Sequence, residues 1–330
     1  MHLLMKVVAY SIKPFEKEFL AKANRKKHEI TLIANPLSLE TIAYAEGKNA
    51  VVVFANDDVS APVVNKLADM GIKYIATRSA GTDHFDKEAA AERGISLANV
   101  PVYSSHAIAE HAVALALSLN RHIIAAHEHG QQFDFKLNGL IGFNFFGKTV
   151  GLIGLGRIGQ AIAAIYNGFG CRVIGYDIAM PDGLIAIESL SLNEVLRQSD
   201  IISLHLPLTP ATKYIINAAS IAIMKNGVML INTSRGGLLN TIDALEALEQ
   251  GKIGYLGMDV YEHEKGLFFE DHQQDLIKDS LLQKLMTHAN VMVTPHQAFL
   301  TGEALQQMAD ETIKNLDVWQ KDRFVLSEII

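Results

Sequence analysis

A chain of 330 residues, 49% hydrophobic and 20% charged, has the composition of a globular protein and a length that suits two domains better than one. Its 29 basic and 36 acidic residues leave a formal net charge of -7, which excludes the basic surface a nucleic-acid or anionic-membrane partner would require. Cys171 is the single cysteine, so no intramolecular disulfide can form, and the apolar run in MHLLMKVVAYS is too short for a signal peptide. The expected compartment is therefore the reducing cytoplasm.

Short β-branched runs alternate with helical stretches along the whole chain. In the first third, strands are expected over Lys6–Tyr10, Ile30–Ile33, Val51–Phe54, Tyr74–Thr77 and Ile95–Leu97, with helices such as Pro62–Met70 and Asp86–Arg93 between them. Next comes the most apolar long stretch, residues 107–126. Glu110, His111, Asn120, Arg121 and His122 interrupt it, so a helix buried against the domains or a second subunit is expected rather than a membrane span. The strand pattern restarts at residue 149, over Val150–Ile153, Arg172–Tyr176, Ile201–Leu204, Val228–Asn232, Tyr255–Asp259 and Val291–Thr294. Each is nearly all apolar, as strands buried on both faces are. A closing amphipathic helix is expected over residues 301–320, with Thr301 as its cap. Two successive doubly wound α/β sheets follow from this alternation.

The segment TVGLIGLGRIGQAIAAIYNGFGCRVIGYD (149–177) is a strand, a glycine-rich turn, a helix and a second strand ending in Asp177. Gly154 permits the tight turn, Gly156 lets the backbone approach a pyrophosphate, and Gly159 allows close helix–strand packing. Arg157 and Ile158 then open a helix whose N-terminus offers N–H groups and a positive dipole end to phosphate oxygens. Asp177 lies 18 residues beyond Gly159, close to the spacing at which an acidic residue meets the ribose hydroxyls. A carboxylate there repels a 2′-phosphate, and Ile178, Ala179 and Met180 supply no compensating cation, so the expected cofactor is NAD rather than NADP.

Three residues with acid–base or anion-binding chemistry follow strand ends of the second sheet: Arg235, Glu264 and His296. Ligands bind beyond the carboxyl ends of parallel strands, so the three can converge although distant in sequence. Alone, each reads as an ordinary surface charge or one of 13 histidines.

The blocks GLGRIG (154–159), NTSRGG (232–237), GMDVYEHE (257–264) and TPHQAFLT (294–301) resemble those of the D-isomer-specific 2-hydroxy acid dehydrogenases. RSAGTDHFD (78–86) and VPVYSSHAIAEH (100–111) resemble that family's substrate loop and hinge. GLFFED (266–271) and HQAFLT (296–301) are similar to the lactate-forming branch. The resemblance covers essentially the whole chain. It implies two Rossmann/flavodoxin-like domains with a cleft between them. A discontinuous substrate domain would comprise residues 1–102 and 299–330, and an NAD-binding domain residues 103–298. The long helix matching residues 105–129 would build a homodimer. It also implies His296 as general acid–base, Glu264 as its carboxylate partner, Arg235 as the substrate grip and Asp259 as support for the nicotinamide. Further cofactor contacts would come from Leu206, Pro207, Thr233, Ser234 and Arg235. Backbone amides near Ala80 and Gly81 would hold the substrate carboxylate, and Phe54, Tyr103 and Phe299 would bound a pocket with room for a methyl group. The implied reaction is NADH-dependent reduction of pyruvate to D-lactate.

That chemistry fits the residue types. Histidine titrates near working pH, a carboxylate beside it favours the imidazolium and fixes the ring, and an arginine fork matches a carboxylate. Alternatives are a relative acting on glyoxylate, hydroxypyruvate or a branched keto acid, and an NAD-sensing protein without turnover. No metal site is expected: His127, Glu128 and His129 point around a helix, and His106/His111 and His122/His127 are spaced five apart. Cys171 is expected to be an inert core thiol.

Overall fold

The computed structural model describes residues 4–183, 186–275, 279–321, 325 and 327–329. It divides into two compact units, Met1–Ser104 with Leu300–Ile330, and Ser105–Phe299. The joins thus fall at 104/105 and 299/300, against 102/103 and 298/299 read from the sequence.

In the first unit, β1 (Lys6–Ala9), β2 (Glu29–Leu32), β3 (Ala50–Val53), β4 (Tyr74–Thr77) and β5 (Ser96–Ala98) form one parallel sheet in the order β2-β1-β3-β4-β5. Side chains alternate between two cores, which is why the central strands carry apolar residues on both faces. Val8, Val51, Val53, Ile75 and Leu97 face one core, and Val7, Ala50, Val52, Ala76 and Ala98 face the other. The helix Gly302–Trp319 covers the second face through Ala309, Ile313, Leu316 and Trp319, whose ring stacks on Tyr74 at 4.9 Å. Thr301 caps that helix as expected, accepting from Ala304 N at 3.2 Å.

In the second unit, β6 (Thr149–Ile153), β7 (Arg172–Tyr176), β8 (Glu188–Ser189), β9 (Ile201–Leu204), β10 (Val228–Asn232), β11 (Ile253–Met258) and β12 (Val291–Val293) form a parallel sheet. The order is β12-β11-β10-β9-β6-β7-β8, so the winding reverses at β6 and β9. The two-residue β8 was not expected, since Glu188 and Ser189 are both exposed and carry no apolar signal.

The expectation of one long helix over 105–129 is corrected. The helix Ser105–Asn120 ends where the buried Asn120 side chain turns to the backbone of Phe143, donating to its O at 2.7 Å and accepting from its N at 2.8 Å. Gly142 makes this approach possible, because a Cβ there would lie 2.2 Å from the Asn120 carbonyl oxygen. His122 then takes a left-handed φ of 49° before a second helix, Ile123–Gln131, which buries none of its residues. The first of these helices packs Ala109, Ala112, Val113, Ala116 and Leu119 onto the sheet. Gly257 of β11 admits it closely, since a Cβ there would meet Leu119 and Leu115 at 3.3 and 3.4 Å. Among the described residues, no helix is long and apolar enough to cross a membrane.

Candidate active site

The glycine turn follows β6. Gly154 has a φ of 99°, and a Cβ there would sit 2.4 Å from the carbonyl oxygen of His205, which follows β9. Only glycine fits where those two strand ends close on each other at the winding reversal. Gly159 packs as tightly, since a Cβ would come within 2.1 Å of the Gly154 carbonyl oxygen. Gly156 is different: a Cβ there would meet nothing within 4 Å. It caps the helix Arg157–Gly168, whose first N–H groups, on Arg157 and Ile158, have no acceptor within the helix. Asp177, just past β7, accepts from Leu155 N at 2.7 Å and Ala179 N at 3.0 Å, which fixes its carboxylate beside the turn.

The remaining strand ends stand in a row because the strands pair in register. Asn232 pairs with Met258, and Met258 with Val293, so Thr233, Asp259 and Thr294 emerge side by side. Asp259 is fully buried. Its Oδ1 accepts from Thr294 Oγ1 at 2.6 Å and Gln297 N at 2.9 Å, and its Oδ2 from Ala298 N at 2.8 Å. Residues 294–298 therefore wrap one carboxylate. That wrapping holds His296 at a φ of 54°, a left-handed conformation that a non-glycine residue keeps only when its surroundings impose it.

His296 Nδ1 lies 2.7 Å from Glu264 Oε1, with the two side chains 19% and 17% exposed. The other Glu264 oxygen accepts from Tyr261 N at 3.0 Å, which leaves that carboxylate little freedom to turn away. With Nδ1 engaged, Nε2 is the ring nitrogen that makes no hydrogen bond among the described residues. The Phe269 ring lies 5.9 Å from the imidazole at an interplanar angle of 33° and shields one side of it.

Arg235 follows Thr233 and Ser234 past β10, and its backbone carbonyl accepts from Asn232 Nδ2 at 2.9 Å. The next residue has to be glycine, since a Cβ on Gly236 would lie 2.1 Å from the Tyr261 carbonyl carbon. The Arg235 loop is thereby pressed against the loop that carries Glu264. Ser234 Oγ donates to the carbonyl of Leu206, tying the β10 end to the β9 end, with Pro207 exposed beside it. The hydroxyl of Thr233 is buried without a partner among the described residues. An orphaned donor at a strand end, the open space over Gly156 and the Asp177 carboxylate together fit a dinucleotide.

Sequence reasoning did not single out His111 and Thr294 as members of the site. His111 Nε2 reaches Thr294 Oγ1 at 3.1 Å and Asp259 Oδ1 at 3.4 Å. His111 comes from the helix Ser105–Asn120, 183 residues before Thr294, and no local spacing links them.

The expected substrate contacts of the first unit cluster past its own strand ends. Phe54 is buried just after β3, and Ala80 and Gly81 follow β4. Asn99 Nδ2 binds the Ala80 carbonyl at 2.7 Å and Ser79 Oγ binds that of Gly81 at 3.0 Å, which fixes the loop through its oxygens. The N–H groups of Ala80 and Gly81 make no hydrogen bond among the described residues. Tyr103 is half-buried ahead of the helix at Ser105, and Phe299 is buried in the second unit after His296. Among the described residues, no group of three or more His, Cys, Asp or Glu side chains could hold a metal ion. Cys171 is buried, and burial pushes its thiol up, away from the nucleophilic thiolate.

A family model described as D-isomer specific 2-hydroxyacid dehydrogenase, NAD binding domain, matches residues 113–298. The chain belongs to the D-isomer-specific 2-hydroxyacid dehydrogenase family. It is 42% identical over 330 residues to a D-lactate dehydrogenase of Escherichia coli (strain K12), covering 99% of this chain and 100% of that one. A structure described as the pyruvate reductase of Chlamydomonas reinhardtii matches with a TM-score of 0.92 and 42% identity, covering 98% and 99% of the two chains. D-lactate dehydrogenase with NAD+ from Lactobacillus jensenii matches with a TM-score of 0.82 and 34% identity, covering 99% and 100%. As a dehydrogenase of this family, the protein is an oxidoreductase whose second unit is its NAD-binding domain.

Proposed function

We propose that this dehydrogenase reduces pyruvate to D-lactate with NADH, reversibly, and that His296, Glu264 and Arg235 carry the reaction. The observation that supports the acid–base part is the 2.7 Å hydrogen bond between His296 Nδ1 and Glu264 Oε1 beyond the carboxyl ends of β11 and β12. The nicotinamide supplies the hydride when bound. In the reducing direction, Nε2 of the His296 imidazolium gives its proton to the oxygen of the former ketone. Glu264 holds the Nδ1 proton and offsets the positive charge until then. Arg235 pairs with the substrate carboxylate and polarises the ketone oxygen, a double task that suits its planar fork and not an ammonium. The free N–H groups of Ala80 and Gly81 are assigned to the same carboxylate.

Gly154, Gly156, Arg157, Ile158 and Gly159 are assigned to the pyrophosphate, and Asp177 to the adenosine ribose. Leu206, Pro207, Thr233, Ser234 and Asp259 are assigned to the nicotinamide half. Phe54, Tyr103 and Phe299 are taken to bound the substrate side chain at the size of a methyl group. The relatives' own descriptions as D-lactate dehydrogenase and pyruvate reductase favour that assignment. The same reading takes the protein as a cytoplasmic homodimer. Phe133, Leu137, Ile141 and Phe146 of the second unit, 86, 77, 86 and 79% exposed, are the apolar surface a second copy would cover. The test of substrate choice follows NADH loss with pyruvate, glyoxylate, hydroxypyruvate and 2-ketoisocaproate in parallel. The reading expects the highest kcat/KM with pyruvate, and a clear preference for any of the other three overturns it.

A further inference from the structure

Arg78, the first residue after β4, is 1% exposed, an unusual place for a guanidinium unless it is paired and bonded. Its Nε donates to Glu16 Oε1 at 2.9 Å, and its Nη2 donates to the carbonyls of Tyr10 and Ser11 at 3.1 and 3.3 Å. These contacts set the plane of the guanidinium. Its Cζ then lies 5.4 Å from the centroid of the Phe54 ring, within the range of a cation–π contact. The backbone of Phe54 is held by the same network. Ser11 Oγ donates to Asp57 Oδ1 at 2.7 Å, and Asp57 Oδ2 accepts from Phe54 N at 2.6 Å.

A cation that served only to neutralise Glu16 would need no aromatic neighbour, and an aliphatic residue at 54 would fill the space as well. The arrangement instead fixes one ring twice, at its backbone and across its face. We propose that Arg78 is a positioning residue for substrate selection: it clamps the Phe54 ring so that the ring keeps one orientation and limits the side chain of the keto acid. Arg78 touches neither substrate nor cofactor in this role. The inference rests on the reading above, in which Phe54 bounds the substrate side chain.

The decisive comparison measures kcat/KM for pyruvate and for 2-ketoisocaproate with wild type, Arg78→Lys, Phe54→Leu and the double variant. Lysine retains a charge for Glu16 but loses the plane and the fork to the two carbonyls. In Arg78→Lys the ratio of 2-ketoisocaproate to pyruvate activity should rise about tenfold, the scale on which pockets discriminate added methylenes. The Kd for NADH should stay at its wild-type value. In the Phe54→Leu background the same substitution should leave the ratio unmoved, because the residue it acts through is gone. Equal losses on both substrates, or an undiminished rise in ratio when Phe54→Leu is already present, would mean a merely structural arginine and overturn the proposal. Should Arg78→Lys not fold, Glu16→Gln with Arg78→Met removes both charges together and strands neither, and the same rise in ratio is required of it. A wild type with no activity on either keto acid overturns the functional reading and this inference with it. An active wild type with an unmoved ratio overturns the inference alone.

Discussion

His205 shows how one side chain at the winding reversal answers to burial. It follows β9, its Nε2 lies 2.9 Å from Ser203 Oγ, and burial pushes the imidazole from its ordinary 6.5 down to about 4. The folded chain therefore keeps this histidine neutral where the unfolded chain binds a proton. With more protons bound in the unfolded state, stability rises with pH across that window, so it is fully present above about pH 6.5 and is lost as pH falls toward 4. His205→Gln should flatten that stretch of a urea-midpoint against pH curve, and an unchanged slope would show that another group sets it. Glu264 and His296 are a complementary case: both follow strand ends of the second sheet, which marks them as able to converge, while their pairing was implied only by the family resemblance. Arg78 opens the block RSAGTDHFD, but its pairing with Glu16 is not legible in that way, since 62 residues separate the two. The triangle of His111, Thr294 and Asp259 escaped for the same reason: its members become neighbours only through strand register and helix packing.

At the scale of the element, the glycine turn separates two demands that look alike in sequence. Gly159 is required by the fold itself, because any Cβ would collide with the Gly154 carbonyl. Gly156 has open space around it and an ordinary φ of -64°, so the empty protein does not need a glycine there. Gly156→Ala should thus leave Tm near wild type while weakening NADH binding about tenfold or more, a loss of roughly 1.4 kcal/mol. Gly159→Ala should lower Tm by several degrees as well as weaken binding. Calorimetry with and without NADH separates the two, and equal Tm losses in both variants would contradict the division of labour. The strands themselves were legible because burial on both faces writes an unbroken apolar run, as in Val228–Asn232. The break in the helix after Asn120 was not, because its cause is a side chain turning to the backbone of Phe143, 23 residues away.

At the scale of the whole molecule, the two-sheet organisation was legible in the alternation of apolar and helical runs, and the helix Gly302–Trp319 lies in the first unit, far along the chain from its sheet. The surface left by residues 123–146 is a separate matter, since phenylalanines at 86 and 73% exposure, Phe133 and Phe135, are costly on an isolated chain. If the homodimer proposed above forms through this surface, Phe133→Asp together with Phe135→Asp should shift the sedimentation coefficient from dimer to monomer without unfolding either sheet. A wild type that sediments as a monomer would remove the basis for that expectation. The chemical claim on which all scales converge is that Nε2 of His296 delivers the proton. Its most direct test is NADH oxidation with pyruvate by wild type and His296→Ala, with the product resolved by chiral chromatography and NADH affinity measured by fluorescence. The account predicts D-lactate equal to the NADH consumed by wild type, and turnover lowered by about 10³-fold in the variant with its NADH affinity intact. Turnover in the variant at the wild-type rate, or L-lactate as the wild-type product, would contradict it.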